Sequence, residues 1–317
     1  MLAPASLPVV SRLAPTPSGF LHLGNAVNFT LTWLLTRRAG GTLHLRIDDL
    51  DRARFRPVYL ANVFQTLDWL GLDYDHGPTG PDDFERHYSQ RHLLADYEAT
   101  LQAARPAHPG LFYACGCSRS ELARAAAAGN HLYPGTCRPR RLPLETPETA
   151  WRAHVPAGLT VSVPDLGQTP LAVPLAEVLG DFVVRKKDGA AAYQVASVVD
   201  DVRLGVTLVV RGLDLLPSTA AQLWLAGQLP GTESFRQTQF LHHGLLLDEA
   251  GQKLSKSTQT GQQRGILAEA NGPQVVYAAV ARLLRLPETV GESLATLLRA
   301  LNDFPQYNGG SAPQPTA

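Results

Sequence analysis

Apolar residues recur along the first hundred positions with two alternating periods. Leu7–Leu13 is a short apolar run that predicts a strand, and Ala14–Gly19 is a loop rich in Pro, Ser and Gly. Ala26–Arg38 repeats at helical spacing, with Leu31, Leu34 and Leu35 on one face and Gly40–Gly41 as a stop. Leu43–Ile47 predicts a second strand, in which His and Arg alternate with apolar residues. Leu60, Val63, Phe64, Leu67 and Leu70 then mark a helix that ends at Gly71. Strand–helix–strand–helix at this spacing predicts an α/β fold with a doubly wound parallel sheet.

The pattern breaks between about Ala104 and Gly180, where Pro and Gly accumulate. This stretch predicts an insertion. Ser118–Glu121 matches a capping box, so a helix should start there and end near Gly129. The α/β pattern resumes with Phe182–Arg185, Tyr193–Val199 and Val206–Val210 as strands, followed by a helix capped by Ser218. Val275–Leu284 and Glu292–Leu301 read as helices. The polar, Pro- and Gly-rich tail Asn308–Ala317 predicts disorder. The expected divisions are 1–103, 104–180, 181–250, 251–307 and a tail 308–317.

The chain of 317 residues is long enough for more than one domain. It is 44% hydrophobic and 18% charged, which suits a soluble globular protein. Lys+Arg and Asp+Glu both number 28, so any contact with nucleic acid must come from a local patch rather than from net charge. Arg138, Arg140, Arg141, Arg185, Lys186 and Lys187 are candidates, although such runs are often just solvated. No basic leader and no membrane-length apolar run is evident, which predicts a cytoplasmic protein, expected as a monomer. Its three cysteines, Cys115, Cys117 and Cys137, make a poor disulfide framework. A metal site or free thiols fit better. Tetrahedral zinc wants four ligands, and on general grounds His131 would be the fourth.

Two short motifs carry candidate chemistry. His22-Leu23-Gly24-Asn25 lies where a loop meets a helix, and helix N-termini attract phosphate. Lys253-Leu254-Ser255-Lys256-Ser257 gathers two ammonium groups and two hydroxyls, suited to charge building on a transferring phosphate. Each alone has a plainer explanation, a capping turn or a solvated basic loop. Their order and spacing resemble the HIGH and KMSKS motifs of class I aminoacyl-tRNA synthetases. Arg12-Leu13-Ala14-Pro15-Thr16-Pro17-Ser18-Gly19, Arg46-Ile47-Asp48-Asp49-Leu50-Asp51 and Val209-Val210-Arg211-Gly212-Leu213-Asp214 resemble the glutamate-specific branch. The similarity runs from about Arg12 to Ser257.

The resemblance implies a Rossmann-type synthetase core with a zinc-containing insertion and a short helical C-terminal part. It implies ATP as substrate with Mg²⁺, held by Gly24, Asn25, Lys253, Ser255 and Lys256, with His22 and Lys256 catalytic. Glutamate would meet Arg12, Leu13, Ala14, Pro15, Thr16, Tyr193 and Arg211, and Asp48 would hold its ammonium group. The family usually has Glu at that last position, so Asp48 is a departure, one methylene shorter. The pattern Cys-x-Cys…Tyr-x3-Cys of the short glutamate-activating relatives makes Tyr133, with Cys115, Cys117 and Cys137, the ligand set for one structural zinc ion.

Only the 60 residues from 258 to 317 follow the second motif, too few for both a helical junction and an anticodon-reading domain. Such a chain resembles the glutamyl-queuosine tRNA(Asp) synthetase family. That implies activation of glutamate and its transfer to the queuosine base at the wobble position of tRNA(Asp). Two rivals remain at this point. One is a synthetase that charges a tRNA 3′ end with the help of a separate anticodon-binding partner. The other is a non-catalytic sensor of nucleotide or amino acid.

Overall fold

The computed structural model describes residues 8–127, 132–166, 168–244 and 265–303. Strand β1 (Val10–Leu13) pairs in parallel with β2 (Thr42–Leu45), Arg12 opposite His44. The helix Leu23–Arg38 crosses between them, as its apolar spacing predicts. The helix Pro57–Trp69 follows, with Leu60, Val63 and Leu67 buried, and the chain then returns along the outer edge of β2, where Leu45 N–H donates to His76 C=O.

Three short strands form an antiparallel sheet in the order β3 (Phe112–Cys115), β4 (Ala150–Ala153), β7 (Phe182–Arg185), and β5 (Thr160–Val163) pairs with β6 (Leu171–Pro174) in a separate hairpin. The Ser118 box forms as expected. Ser118 Oγ accepts from Glu121 N–H at 3.2 Å, the Glu121 carboxylate accepts from Ser118 N–H at 2.7 Å, and the helix Arg119–Ala127 follows.

Strand β8 (Leu208–Gly212) pairs in parallel with β9 (Gln239–His243). The two parallel pairs meet through β1 and β8: Thr207 N–H donates to Val10 C=O at 2.8 Å and Ser11 Oγ donates to Leu208 C=O at 2.8 Å. Alternate residues of β8 enter different cores. Leu208 and Val210 pack with the N-terminal helices and with the helices Gln274–Leu283 and Leu294–Asp303. Val209 packs on the other side with Phe240 and the helices Leu94–Ala107 and Leu216–Ala226. Apolar residues on both faces explain why β8 reads as a continuous hydrophobic run. Among the described residues no helix is long and apolar enough to cross a membrane.

Three expectations change. Phe182–Arg185 is a strand, but it pairs with β4 of the insertion rather than with the parallel strands. Tyr193–Val199 is not a strand. It belongs to the helix Tyr193–Arg203, because Val195, Val198 and Val202 also stand at helical spacing and the first two are fully buried. Ser218 is not an N-cap: the helix begins at Leu216 with Pro217 in its first turn, and Ser218 Oγ accepts from Gln194 Nε2 at 3.1 Å. Residues 253–257, His131 and the tail 308–317 lie outside the described residues.

Candidate active site and metal centre

The carboxyl ends of β1, β8 and β9 and the start of the helix Leu23–Arg38 converge on one side of the molecule. Open parallel sheets bind ligands at that edge. His22 is the helix N-cap. Its Nδ1 accepts from Gly24 N–H at 3.1 Å, and Asn25 Oδ1 accepts from His22 N–H at 3.1 Å, so the two side chains cap each other's backbone. In the neutral imidazole this places the proton on Nε2. Gly24 leaves room for the imidazole, because a Cβ there would lie 3.0 Å from His22 Cε1 and would press on the ring. A cavity of about 620 Å³ opens beside His22, lined among others by Leu23, Ile266, Asn271 and Gln274.

The described residues on either side of positions 245–264 both contact the neighbourhood of the helix Leu23–Arg38. On one side His243 Nε2 lies 3.1 Å from Asn28 Oδ1, one turn into the His22 helix. On the other, Ile266 N–H donates to Leu21 C=O at 2.7 Å. The Ile266 flank therefore adjoins His22, and the His243 flank meets the same helix further along.

Behind this edge lies a buried box of charges. Arg12 Nε donates to Asp201 Oδ1 at 2.9 Å, and Arg46 Nη1 donates to the same oxygen at 2.6 Å. Arg46 also grips Asp48 side-on, Nε to Oδ1 at 2.7 Å and Nη2 to Oδ2 at 3.1 Å. Asp200 accepts from Tyr97 Oη and from Gln90 Nε2, both at 2.8 Å. Asp49 accepts from Ser89 Oγ, Gln90 N–H and Arg52 Nη1, which fixes the turn at Ser89–Gln90. The loop Ala14–Thr16 runs beside this box, with Asp48 N–H donating to Pro15 C=O and Arg46 N–H to Leu13 C=O, both at 2.9 Å.

Burial pushes the Asp200 carboxyl up, against the pull of Arg46. Asp201 is as buried, yet its carboxyl is held down because Arg12, Arg46 and Arg211 together outweigh desolvation. Arg46 is raised well above the ordinary guanidinium value, since Asp48, Asp201 and Asp200 more than offset its burial. Arg211 goes the other way. Burial lowers it, and repulsion from Arg12 and Arg46 adds to that, despite attraction from Tyr193 and Asp201.

Arg211 is 3% exposed and forms no ion pair with a carboxylate among the described residues. Its Nη1 donates to Gln222 Oε1 at 2.8 Å and to Thr219 Oγ1 at 3.2 Å, and its buried Nη2 has no partner. Thr219 Oγ1 also contacts His242 Nε2 at 2.9 Å, and His242 Nδ1 lies 3.9 Å from Asp165. Tyr193, at the first turn of its helix, is 44% exposed.

Arg12, Asp48, Tyr193 and Arg211 are thus brought to one region, as the motifs predict. Arg12 pairs with Asp201 rather than with the nearer-in-sequence Asp48 or Asp49. Asp200, Asp201, Gln90, Tyr97 and Gln222 were not anticipated. The signal for the first two was an acidic doublet inside an apolar run. With Tyr193 at i, Ser197 at i+4 and Asp201 at i+8, helical spacing puts one face of that run into the site.

The second cluster closes the end of β3. Cys117 Sγ is 3.5 Å from Cys137 Sγ, Tyr133 Oη is 3.4 Å from Cys115 Sγ and 3.7 Å from Cys117 Sγ, and the three sulfurs lie within 4.8 Å of one another. A tetrahedral zinc ion with ordinary bond lengths spaces its sulfurs by about 3.8 Å and an oxygen from a sulfur by about 3.5 Å. The four groups therefore offer the donor set and approach the spacing of such an ion. Burial raises Cys117 to about 11. Cys137 is also buried, but hydrogen bonds from Tyr133 and Cys117 bring it down to about 7, a thiol ready to lose its proton to a metal. The Arg152 guanidinium lies 3.7 Å over the Tyr133 ring.

Of the candidate RNA cations, Arg138 pairs with Asp181 at 2.5 Å, Arg185 with Glu98 at 3.0 Å, and Lys186 and Lys187 donate to the carbonyls of Leu50 and Gly116. Arg140 and Arg141 are exposed on the turn after Cys137.

Residues 8–297 match the family described as tRNA synthetases class I (E and Q), catalytic domain. The chain is 42% identical over 301 residues to the glutamyl-Q tRNA(Asp) synthetase of Symbiobacterium thermophilum, with 88% of each chain covered. It is 40% identical over 272 residues to the protein of that name from Nitratidesulfovibrio vulgaris, with 80% of each covered. Among solved structures, the glutamate-tRNA synthetase from Elizabethkingia anophelis superposes with a TM-score of 0.73 at 25% identity, over 96% of this chain and 67% of that one.

Proposed function

Because the chain belongs to the class I (E and Q) tRNA synthetases, we propose that it is an ATP-dependent ligase that activates glutamate and transfers it to queuosine in tRNA(Asp). The observation that carries this reading is Arg211, a buried guanidinium with an unpartnered Nη2, beside Tyr193 and Arg12 at the strand edge. A buried, unpaired cation is costly, and a substrate carboxylate removes that cost through charge-assisted hydrogen bonds.

In this reading Arg12, Leu13, Ala14, Pro15, Thr16, Tyr193 and Arg211 surround the amino acid, and Asp48, oriented by Arg46, receives its ammonium group. His22 donates from Nε2 to an ATP phosphate, next to the helix N-terminus at Gly24 and Asn25. Lys253, Ser255 and Lys256 would be supplied by the stretch between His243, which contacts Asn28, and Ile266, which contacts Leu21. An oxygen of the substrate α-carboxylate attacks the α-phosphorus, the bond to the bridging oxygen breaks, and pyrophosphate leaves with the negative charge. Charge on the phosphates is met by His22, by Lys256 and by the Mg²⁺ that accompanies ATP, and positioning supplies much of the rate. A queuosine hydroxyl then attacks the carbonyl carbon of the mixed anhydride, the bond from that carbon to the phosphate oxygen breaks, and AMP and the hydroxyl proton leave.

The two parallel strand pairs act as one Rossmann-type sheet, which the hydrogen bonds between β1 and β8 support. The divisions 1–103, 104–180 and 181–250 serve as the catalytic halves and the insertion, with β7 reaching back to the insertion's sheet. Cys115, Cys117, Tyr133 and Cys137 would hold a structural zinc ion. We take the protein to be cytoplasmic and monomeric. Curated relatives named glutamyl-Q tRNA(Asp) synthetase match across 80% or more of both chains, which favours the queuosine acceptor over a tRNA 3′ end.

Two assays test the reading. Purified protein should catalyse glutamate-dependent ATP–pyrophosphate exchange without tRNA, and no exchange would leave only a sensor. Radiolabelled glutamate should appear on queuosine-containing tRNA(Asp). Its attachment to unmodified tRNA(Glu) instead would overturn the acceptor.

A further inference from the structure

Resting on the glutamate-activation reading, we propose that Gln222 determines specificity by fixing the Arg211 guanidinium without neutralising it. The charged box shows the contrast. Arg12 and Arg46 are both held by carboxylates, Asp201 and Asp48, so their charge is already matched. Arg211 is held by two uncharged acceptors, Gln222 Oε1 at 2.8 Å and Thr219 Oγ1 at 3.2 Å. Both hold one terminal nitrogen, Nη1, and leave Nη2 unpartnered.

The amide orientation of Gln222 is set by chemistry. A guanidinium only donates, so the carbonyl oxygen must face it and the NH₂ must point away. Gln222 is 0% exposed on the helix Leu216–Ala226, and because its Nε2 is buried without a partner, the bond from Arg211 alone sets the direction of its oxygen. The result is a rigid cation whose charge is reserved for an incoming anion. A glutamate at this position would keep the acceptor and the shape but add a negative charge against Arg211. The site would then be electrically satisfied before substrate arrives, and a neutral carboxamide side chain would fit it as well as a carboxylate does.

Gln222 is a positioning residue, and its test needs readouts that mere structural support would not move. In ATP–pyrophosphate exchange, Gln222→Glu should raise the KM for glutamate roughly a hundredfold, the scale of losing one buried charge complement, with a smaller change in kcat. Relative activity with glutamine should rise by a similar factor. Gln222→Met, which removes the acceptor but adds no charge, should raise the glutamate KM on the order of tenfold and shift the glutamate-to-glutamine preference less. Thermal melting of both variants reports folding, and if Gln222→Glu does not fold, Gln222→Met decides.

Wild-type glutamate KM and wild-type preference in a folded Gln222→Glu, or an unchanged KM in Gln222→Met, would overturn the proposal. Wild-type protein run alongside separates the two claims. If it shows no glutamate-dependent exchange, the functional reading itself fails, whereas normal wild-type exchange with silent Gln222 variants sinks only this inference.

Discussion

Substituting Asp201 by asparagine removes one negative charge from a box holding three guanidinium groups. Asp201 Oδ1 accepts from Arg12 at 2.9 Å and from Arg46 at 2.6 Å, and the residue is fully buried. Asparagine is nearly isosteric, so packing is kept and the change is electrostatic. Breaking a buried ion pair by removing one partner costs about 3–5 kcal/mol, because the other charges stay buried and uncompensated. At roughly 2–4 °C per kcal/mol for a chain of this size class, melting should fall by roughly 6–20 °C. Freed from Asp201, Arg12 also loses its orientation, so the glutamate KM should rise.

The pH dependence has a definite sign. The folded-state Asp201 pKa is lowered, so its contribution is present above the unfolded value of about 3.9 and is lost as pH falls through the folded value. The melting gap between wild type and Asp201→Asn should therefore be constant from neutrality down to about pH 5 and narrow below about pH 4. Asp200→Asn is the internal control. Burial raises that carboxyl, its hydrogen-bond partners are the uncharged Tyr97 and Gln90, and its ion pair with Arg46 is a long one at 4.0 Å, so the cost should be smaller, about 1 kcal/mol. Differential scanning calorimetry across that pH range, with exchange kinetics at pH 7, measures all of this. Equal melting losses for the two variants, or an Asp201→Asn protein within one or two degrees of wild type, would refute the charge-box reasoning.

Other outcomes are expected. Gly24→Ala should lower pyrophosphate exchange at least tenfold while changing stability by no more than about 1 kcal/mol, since its Cβ displaces the His22 ring but alanine favours the helix. Lys256→Ala should strongly lower exchange with an unchanged melting curve, and an unaltered rate removes Lys256 from the mechanism. Protein purified without chelator should contain about one zinc per chain by plasma mass spectrometry. Tyr133→Phe should weaken zinc retention roughly 10–100-fold against a competing chelator, and retention equal to wild type would take Tyr133 out of the ligand set.

Much of the site was legible because it is local. His22 and Gly24 are two residues apart, and their geometry follows from a helix start that the loop Ala14–Gly19 announces. The Cys115, Cys117, Tyr133 and Cys137 spacing likewise brings its own members together, and their separations in the fold suit one tetrahedral ion. The apolar periods of Ala26–Arg38 and Leu60–Leu70 also identified their helices, since burial of one face is encoded at short range. Tyr193–Val199 reads as a strand because valine-rich runs suit a strand and a buried helix equally, and only the packing of Val195, Ala196 and Val198 into the core around Phe240 decides between them.

Tertiary structure alone decided the electrostatics. Which carboxylate holds Arg12 depends on a residue 189 positions away, and the free charge of Arg211 depends on neutral partners contributed by another helix. Sequence motifs name which groups are present. The low dielectric of the packed interior, and the set of groups sealed within it, determine which of those charges are paired with a carboxylate and which one is not.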